Sequence, residues 1–198
     1  MREVELKAVV DDWAERRGRV ERGGGVVTFA GRLEDRRYDT ALRDLARRGE
    51  VLRLRVYRDA HGRSRAEVGW KGPTEYDSGY KVREELQTAA EDPDVVAALL
   101  ARLGYVVTRA IDREIVQYDL AGTVVRFERY PRMDDLVEVE GVPDGIERAI
   151  AVLGIDRTAF TAERLPAFVV RWQRRTGQEP ALCDDELAGR VHFELEDA

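Results

Sequence analysis

The stretch EVELK at residues 3–7 decides how the rest of the chain is read. Glu3, Glu5 and Lys7 alternate with Val4 and Leu6, and successive side chains of a strand point to opposite faces. One face of this opening strand therefore carries only charge. The pattern recurs along the chain: Arg53, Arg55 and Tyr57 oppose Leu52, Leu54 and Val56, and Arg65, Glu67, Gly69 and Lys71 oppose Ala66, Val68 and Trp70. Arg83, Glu85 and Gln87 oppose Val82, Glu84 and Leu86. Further on, Arg126 and Glu128 oppose Val125 and Phe127, and Glu138 and Glu140 oppose Val137 and Val139.

Two architectures produce such strands. One is an antiparallel sheet with one face in water and the other on helices. The other is a closed barrel of about eight strands whose charged set lines the lumen while the apolar set faces outward. Solvated faces usually mix Thr, Ser, Lys, Glu and Gln, whereas these strands use Arg and Glu almost exclusively, which favours the lumen. It would set Lys7, Arg53, Arg55, Lys71, Arg83, Arg113 and Arg126 against Glu3, Glu5, Glu67, Glu85, Glu128, Glu138 and Glu140. Desolvating that many ions for stability alone is unfavourable. Arginine matches phosphate oxygens in pairs, and carboxylates hold hard cations such as Mg²⁺ or Mn²⁺. The set therefore reads as a site for a polyanion that arrives with its metal, with a solvated sheet face as the alternative.

Composition narrows the classes. Of 198 residues, 36% are charged, against roughly 25% in globular proteins generally. The formal net charge is −6, which argues against a general nucleic-acid binder. Cys183 is the single cysteine, so no disulfide framework or thiolate zinc cluster is expected. His61 and His192 are the only histidines, and His61 falls in a turn, which weighs against a histidine triad. With no leader pattern and no apolar run near the roughly 20 residues of a membrane span, a soluble cytoplasmic protein is expected.

Helix signals punctuate the strands. Asp11 and Asp12 precede WAERRGRVER, Asp92 or Asp94 starts DPDVVAALLARLG with Pro93 in its first turn, and DGIERAIAVLG stops at Gly154. A last helix is expected in PAFVVRWQRRTG, and a hairpin turn at Ala60-His61-Gly62. The fold class expected is α+β, an antiparallel eight-stranded closed β-barrel with a charged lumen and flanking α-helices.

Taken in order, these motifs resemble the CYTH group, the triphosphate tunnel metalloenzymes. Its opening E-x-E-x-K is met by Glu3, Glu5 and Lys7, and a D-x-x-Y-D-T-like run by Asp35, Tyr38, Asp39 and Thr40. L-R-L-R at 52–55, W-K-G-P at 70–73, Arg83 with Glu85, and Glu138 with Glu140 complete the series. The resemblance covers roughly residues 2–154, and implies a tunnel domain at 1–155 and a C-terminal helical extension at 156–198 packing on or closing the tunnel.

It further implies that Glu3, Glu5, Glu138 and Glu140, with Glu85 and Glu128 added, hold Mg²⁺ or Mn²⁺. Lys7, Arg53, Arg55, Lys71, Arg83, Arg113 and Arg126 would bind a triphosphate, and Glu3, Glu5, Lys7 and Lys71 form the expected catalytic set. Partners would be small molecules such as tripolyphosphate, ATP or thiamine triphosphate, with no nucleic acid or membrane, and a homodimer is compatible with the resemblance. Water attacking the terminal phosphorus gives a triphosphatase, the first choice, because nothing specifies an adenine pocket. A ribose hydroxyl attacking the α-phosphorus gives a class IV adenylyl cyclase. The third alternative is a non-catalytic polyphosphate or nucleotide-binding module. Two positions depart from the group's pattern: Gln87 stands where a further Glu is common, and Arg37 where an aromatic is common.

Overall fold

The computed structural model describes residues 2–77 and 80–195, and the side chains of 4–76 and 82–195. The side chain of Glu3 lies outside the described residues.

The first half of the chain supplies β1 (Arg2–Val9), α1 (Trp13–Arg22), β2 (Val26–Thr40), α2 (Asp44–Arg47), β3 (Val51–Asp59), β4 (Ser64–Lys71), β5 (Glu75–Asp77) and β6 (Tyr80–Ala90). The second half adds α3 (Pro93–Arg102), β7 (Tyr105–Leu120), β8 (Thr123–Arg129), β9 (Leu136–Glu140), α4 (Pro143–Leu153), α5 (Leu165–Thr176) and α6 (Asp184–Leu187). The antiparallel order β1-β9-β8-β7-β2-β3-β4-β6 closes through a β1–β6 pairing, which makes an eight-stranded barrel. The short β5 continues along β6 beyond β4.

Capping at the helix starts follows the sequence signals. Asp12 accepts from the amides of Ala14 and Glu15 at 3.0 Å, and Asp92 from Asp94 and Val95 at 3.0 and 3.1 Å. Outward-facing Leu6, Ala8, Val125, Phe127, Val137 and Val139 pack against Val20 of α1 and Ile146, Ala149, Ile150 and Leu153 of α4. Trp13 meets Phe127 edge to face at 5.6 Å. On the opposite flank α3 sets Leu100, with Val96 and Ala97, over Leu54, Ala66 and Ala90.

Strand lengths leave a gap in the wall that the C-terminal segment fills. β7 has 16 residues but β8 has 7 and β9 has 5, so β8 pairs only with Glu114–Leu120 of β7. Along the uncovered part of β7, the amide of Asp112 donates to the carbonyl of Leu182 at 2.8 Å, and Arg109 pairs with Glu186 at 2.9 Å. Leu165, Phe168 and Val169 of α5 and Leu182 pack on Ile111, Tyr130 and Leu136. The segment before α5 joins the barrel as well, since Lys7 and Thr161 exchange two backbone hydrogen bonds of 2.9 Å. Among the described residues no helix is long and apolar enough to cross a membrane.

Candidate functional site in the barrel lumen

Antiparallel register makes directly opposed residues face the same side, so the charged face of one strand is handed to the next. Lys7 opposes Glu138, and Glu138 opposes Arg126. Arg55 stands between Asp35 and Glu67, and Arg53 between Arg37 and Gly69. Lys71 opposes Glu85. The result is a cavity of ≈ 250 Å³ lined by Glu5, Lys7, Arg53, Arg55, Lys71, Arg83, Glu85, Arg113, Arg126, Glu138 and Glu140.

The β1, β8 and β9 side is a network of ion pairs. Lys7 Nζ lies 2.5 Å from Glu138 and 3.1 Å from Glu5, while Arg126 pairs with the other Glu138 oxygen at 2.8 Å and donates to Gln117 at 3.0 Å. Burial works against each charge, but Glu138 and Glu5 hold the Lys7 ammonium above its ordinary value, and Glu138 raises Arg126. Glu138 is kept well below the usual carboxylate range: burial opposes this, and Lys7 and Arg126 outweigh it.

The β2, β3, β4 and β6 side is crowded with cations. Arg53 pairs with Glu85 at 2.7 Å, Arg55 with Glu67 at 3.1 Å and with the Gln87 carbonyl oxygen at 3.0 Å, and Lys71 with Glu85 at 3.4 Å. Glu85 is lowered because Lys71, Arg53 and Arg55 overcome its desolvation. Arg37 is pushed down to about 10 by burial and by Arg53, Arg113 and Arg164, which together exceed the support of Asp35. Arg55 is lowered by burial and by Arg53. Arginine stays charged at any working pH, so these depressions register lost hydration and repulsion from neighbouring cations rather than a proton loss.

Glu128 does not line the cavity. It is 0% exposed, accepts from the Tyr130 hydroxyl at 2.6 Å and pairs with Arg113 at 2.9 Å. Arg113 also reaches Asp35 at 3.3 Å. Asp39 serves the turn after β2, accepting from the amides of Thr40, Leu45 and Ala46 at 2.7 to 2.9 Å.

Nine further polar residues among those described line the cavity, of which Tyr57, Arg65, Glu67 and Gln87 lie on the alternating strands; the others are Asp35, Arg37, Gln117, Tyr130 and Arg164. The alternation Leu33, Asp35, Arg37 carried the signal for two of these others, but Leu33 breaks its charged pattern. Arg164 precedes α5, outside any strand, where no periodicity could place it. The inward face is also less uniformly charged than the strand patterns imply. Leu33, Tyr57 and Ile115 form a buried apolar cluster with Phe29, and register places Leu33 between Tyr57 and Arg113.

Among the described residues no three carboxylates, histidines or cysteines converge to hold a metal ion. Lys7 bridges Glu5 and Glu138. The donors nevertheless suit Mg²⁺ or Mn²⁺, because Mg²⁺ is commonly held by one or two carboxylates, water and substrate phosphates rather than by a full protein cage.

A closed antiparallel barrel with an ionic lumen is the class that fold and cavity define. The sequence matches the CYTH domain over residues 1–140, and the chain belongs to that family. No curated protein matches it in sequence. Solved structures share the fold. A candidate adenylate cyclase from Vibrio parahaemolyticus aligns with TM-score 0.71 at 20% identity, covering 85% of this chain and 97% of the other. The protein PH1819 from Pyrococcus horikoshii aligns with TM-score 0.70 at 23% identity, covering 85% and 98%. A candidate adenylyl cyclase from Hippeastrum, described as revealing a dominant triphosphatase activity, aligns with TM-score 0.61 at 16% identity, covering 91% and 98%.

Proposed function

We propose that this chain binds a triphosphate together with Mg²⁺ or Mn²⁺ in the barrel lumen and hydrolyses it. The observation that carries the reading is the cation-rich wall, where Arg37, Arg53, Arg55, Lys71 and Arg113 line one cavity. Burial costs Arg37 and Arg55 their hydration and Arg53 repels both, and a bound polyanion offsets the two effects. Arg37, Arg53, Arg55, Lys71 and Arg113 grip the phosphate oxygens. Arg83 donates to the carbonyls of Gly72 at 2.7 Å and Gly49 at 2.9 Å, so it also braces the loops beside the cavity.

Glu5, Glu138 and Glu140 are the described carboxylates that would hold the metal, and Glu3 joins them by its place in the motif. When bound, the metal neutralises phosphate charge and lowers the pKa of a coordinated water. Phosphoryl transfer needs positioning and charge stabilisation above all, which a rigid wall of hydrogen-bonded cations supplies. Lys7 and Arg126 hold Glu138 ionised down to acidic pH, and a bound metal would share its oxygens with them. The homology to candidate cyclases keeps cyclisation of ATP as the second reading, and the activity described for the Hippeastrum protein supports placing hydrolysis first.

The test is product analysis with tripolyphosphate, ATP and thiamine triphosphate under Mg²⁺ and under Mn²⁺. Release of orthophosphate is the expected result. Cyclic AMP with pyrophosphate as the main product would overturn hydrolysis, and turnover of none of the three under either metal would overturn the enzymatic reading.

A further inference from the structure

The lumen cavity adjoins a second cavity of ≈ 630 Å³, with which it shares Arg37, Arg83 and Arg164. Two more arginines, Arg43 and Arg47, line only the second one, and Arg47 also pairs with Asp44 beside it. Three carboxylates stand there against these five cations, and two are already committed. Both oxygens of Asp39 accept backbone amides, and Glu50 accepts from Arg48 at 2.9 Å and from the Trp70 indole at 3.4 Å. The third is Glu194.

The turn is built to present this charge. Asp39 ties residues 40–46 into a tight loop, and Arg43 sits within it in the left-handed conformation at φ 59° and ψ 43°. That conformation is unfavourable for any residue with a Cβ, and such strain persists only where surrounding structure imposes it. Positive potential thus runs on from the crowded wall, through Arg37 and Arg164, to a second chamber. A chamber of that sign disfavours a cationic head group on the substrate.

We infer that the second cavity takes additional phosphates of a linear polyphosphate whose first three units occupy the lumen. The inference rests on the triphosphate-binding reading above and specifies its substrate class as a polyphosphate chain longer than three.

The experiment is calorimetric titration with inorganic tripolyphosphate and with linear pentaphosphate, without divalent metal so that no turnover intervenes. It compares the intact protein with the double variant Arg43→Asn, Arg47→Gln, in which asparagine tolerates the left-handed backbone. The intact protein is expected to bind pentaphosphate at least about tenfold more tightly than tripolyphosphate, the effect of about one charge-assisted contact. In the double variant that ratio is expected to fall to about two or less, with tripolyphosphate affinity unchanged within about twofold. An equal ratio in both proteins overturns the inference, as does tighter binding of ATP or thiamine triphosphate than of pentaphosphate. If tripolyphosphate binds but chain length has no effect, the inference alone fails. If tripolyphosphate does not bind, the triphosphate-binding reading fails and takes the inference with it.

Discussion

On the β1, β8 and β9 side of the lumen, Lys7 and Arg126 share the two oxygens of Glu138; on the β2 and β3 side, Arg37, Arg53 and Arg55 stand around Asp35. Both sides use arginine and carboxylate at alternate strand positions. Their electrostatic states are nonetheless opposite. The first raises its cations and lowers its carboxylate, so each ion is stabilised by its neighbours. The second lowers Arg37 and Arg55, first because burial strips their hydration and then because Arg53 repels both. The first wall stabilises the fold and keeps its carboxylate ionised, whereas a wall rich in buried positive charge leaves an electrostatic demand that a phosphate chain meets. Stability given up at such a place is the usual counterpart of binding function.

Substitutions on the two sides should therefore act with opposite signs. Glu138→Gln leaves Lys7 and Arg126 without their shared counter-ion, and a loss of about 3 kcal/mol is expected in urea unfolding. A loss below about 1 kcal/mol would show that this wall is no better satisfied than the other. Arg37→Met on the crowded wall is expected to raise the melting temperature by about 2 °C or more while weakening tripolyphosphate binding about a hundredfold. A fall in melting temperature would erase the distinction between the walls. Tyr130→Phe removes the 2.6 Å hydrogen bond to the buried Glu128 carboxylate, and about 1.5 kcal/mol of destabilisation is expected by the same urea measurement.

The smallest effect is on pH dependence. Glu138, Glu85 and Asp35 all titrate below their ordinary values in the folded chain, each against the opposing effect of burial. The folded state then binds fewer protons than the unfolded one, so their stabilisation is complete above the ordinary glutamate value of 4.5 and is lost as pH falls toward the folded values. Unfolding curves should coincide from neutral pH to about 5 and weaken below it. Glu138→Gln should make that acid decline shallower, and an unchanged acid limb would remove Glu138 from the account.

Much of the barrel was legible in the strands themselves. Period-two alternation of Arg and Glu in β1, β3, β4, β6, β8 and β9 named the inward face, and the hairpin at Ala60-His61-Gly62 and the caps at Asp12 and Asp92 set element boundaries. Eleven of the expected site residues converge on the lumen cavity because register transmits facing from strand to strand. Glu128 shows the limit of that reasoning. Its parity matches Arg126, yet Tyr130 and Arg113 enclose it at the wall, and no local pattern reports such an enclosure. Leu33 and Ile115 show another limit, since an apolar residue facing inward looks in sequence like any core position.

What the sequence by itself determined is the face: a strand's side chains alternate by covalent geometry, so the ionic and apolar sets were separated before any folding was considered. Which ions meet is a different question. That Lys7 stands between Glu5 and Glu138, that Arg164 enters from the segment before α5, and that Arg37 is surrounded by cations all depend on chain closure over long sequence separations. Electrostatic energy varies with distances between residues remote in sequence, and only the tertiary structure sets those distances.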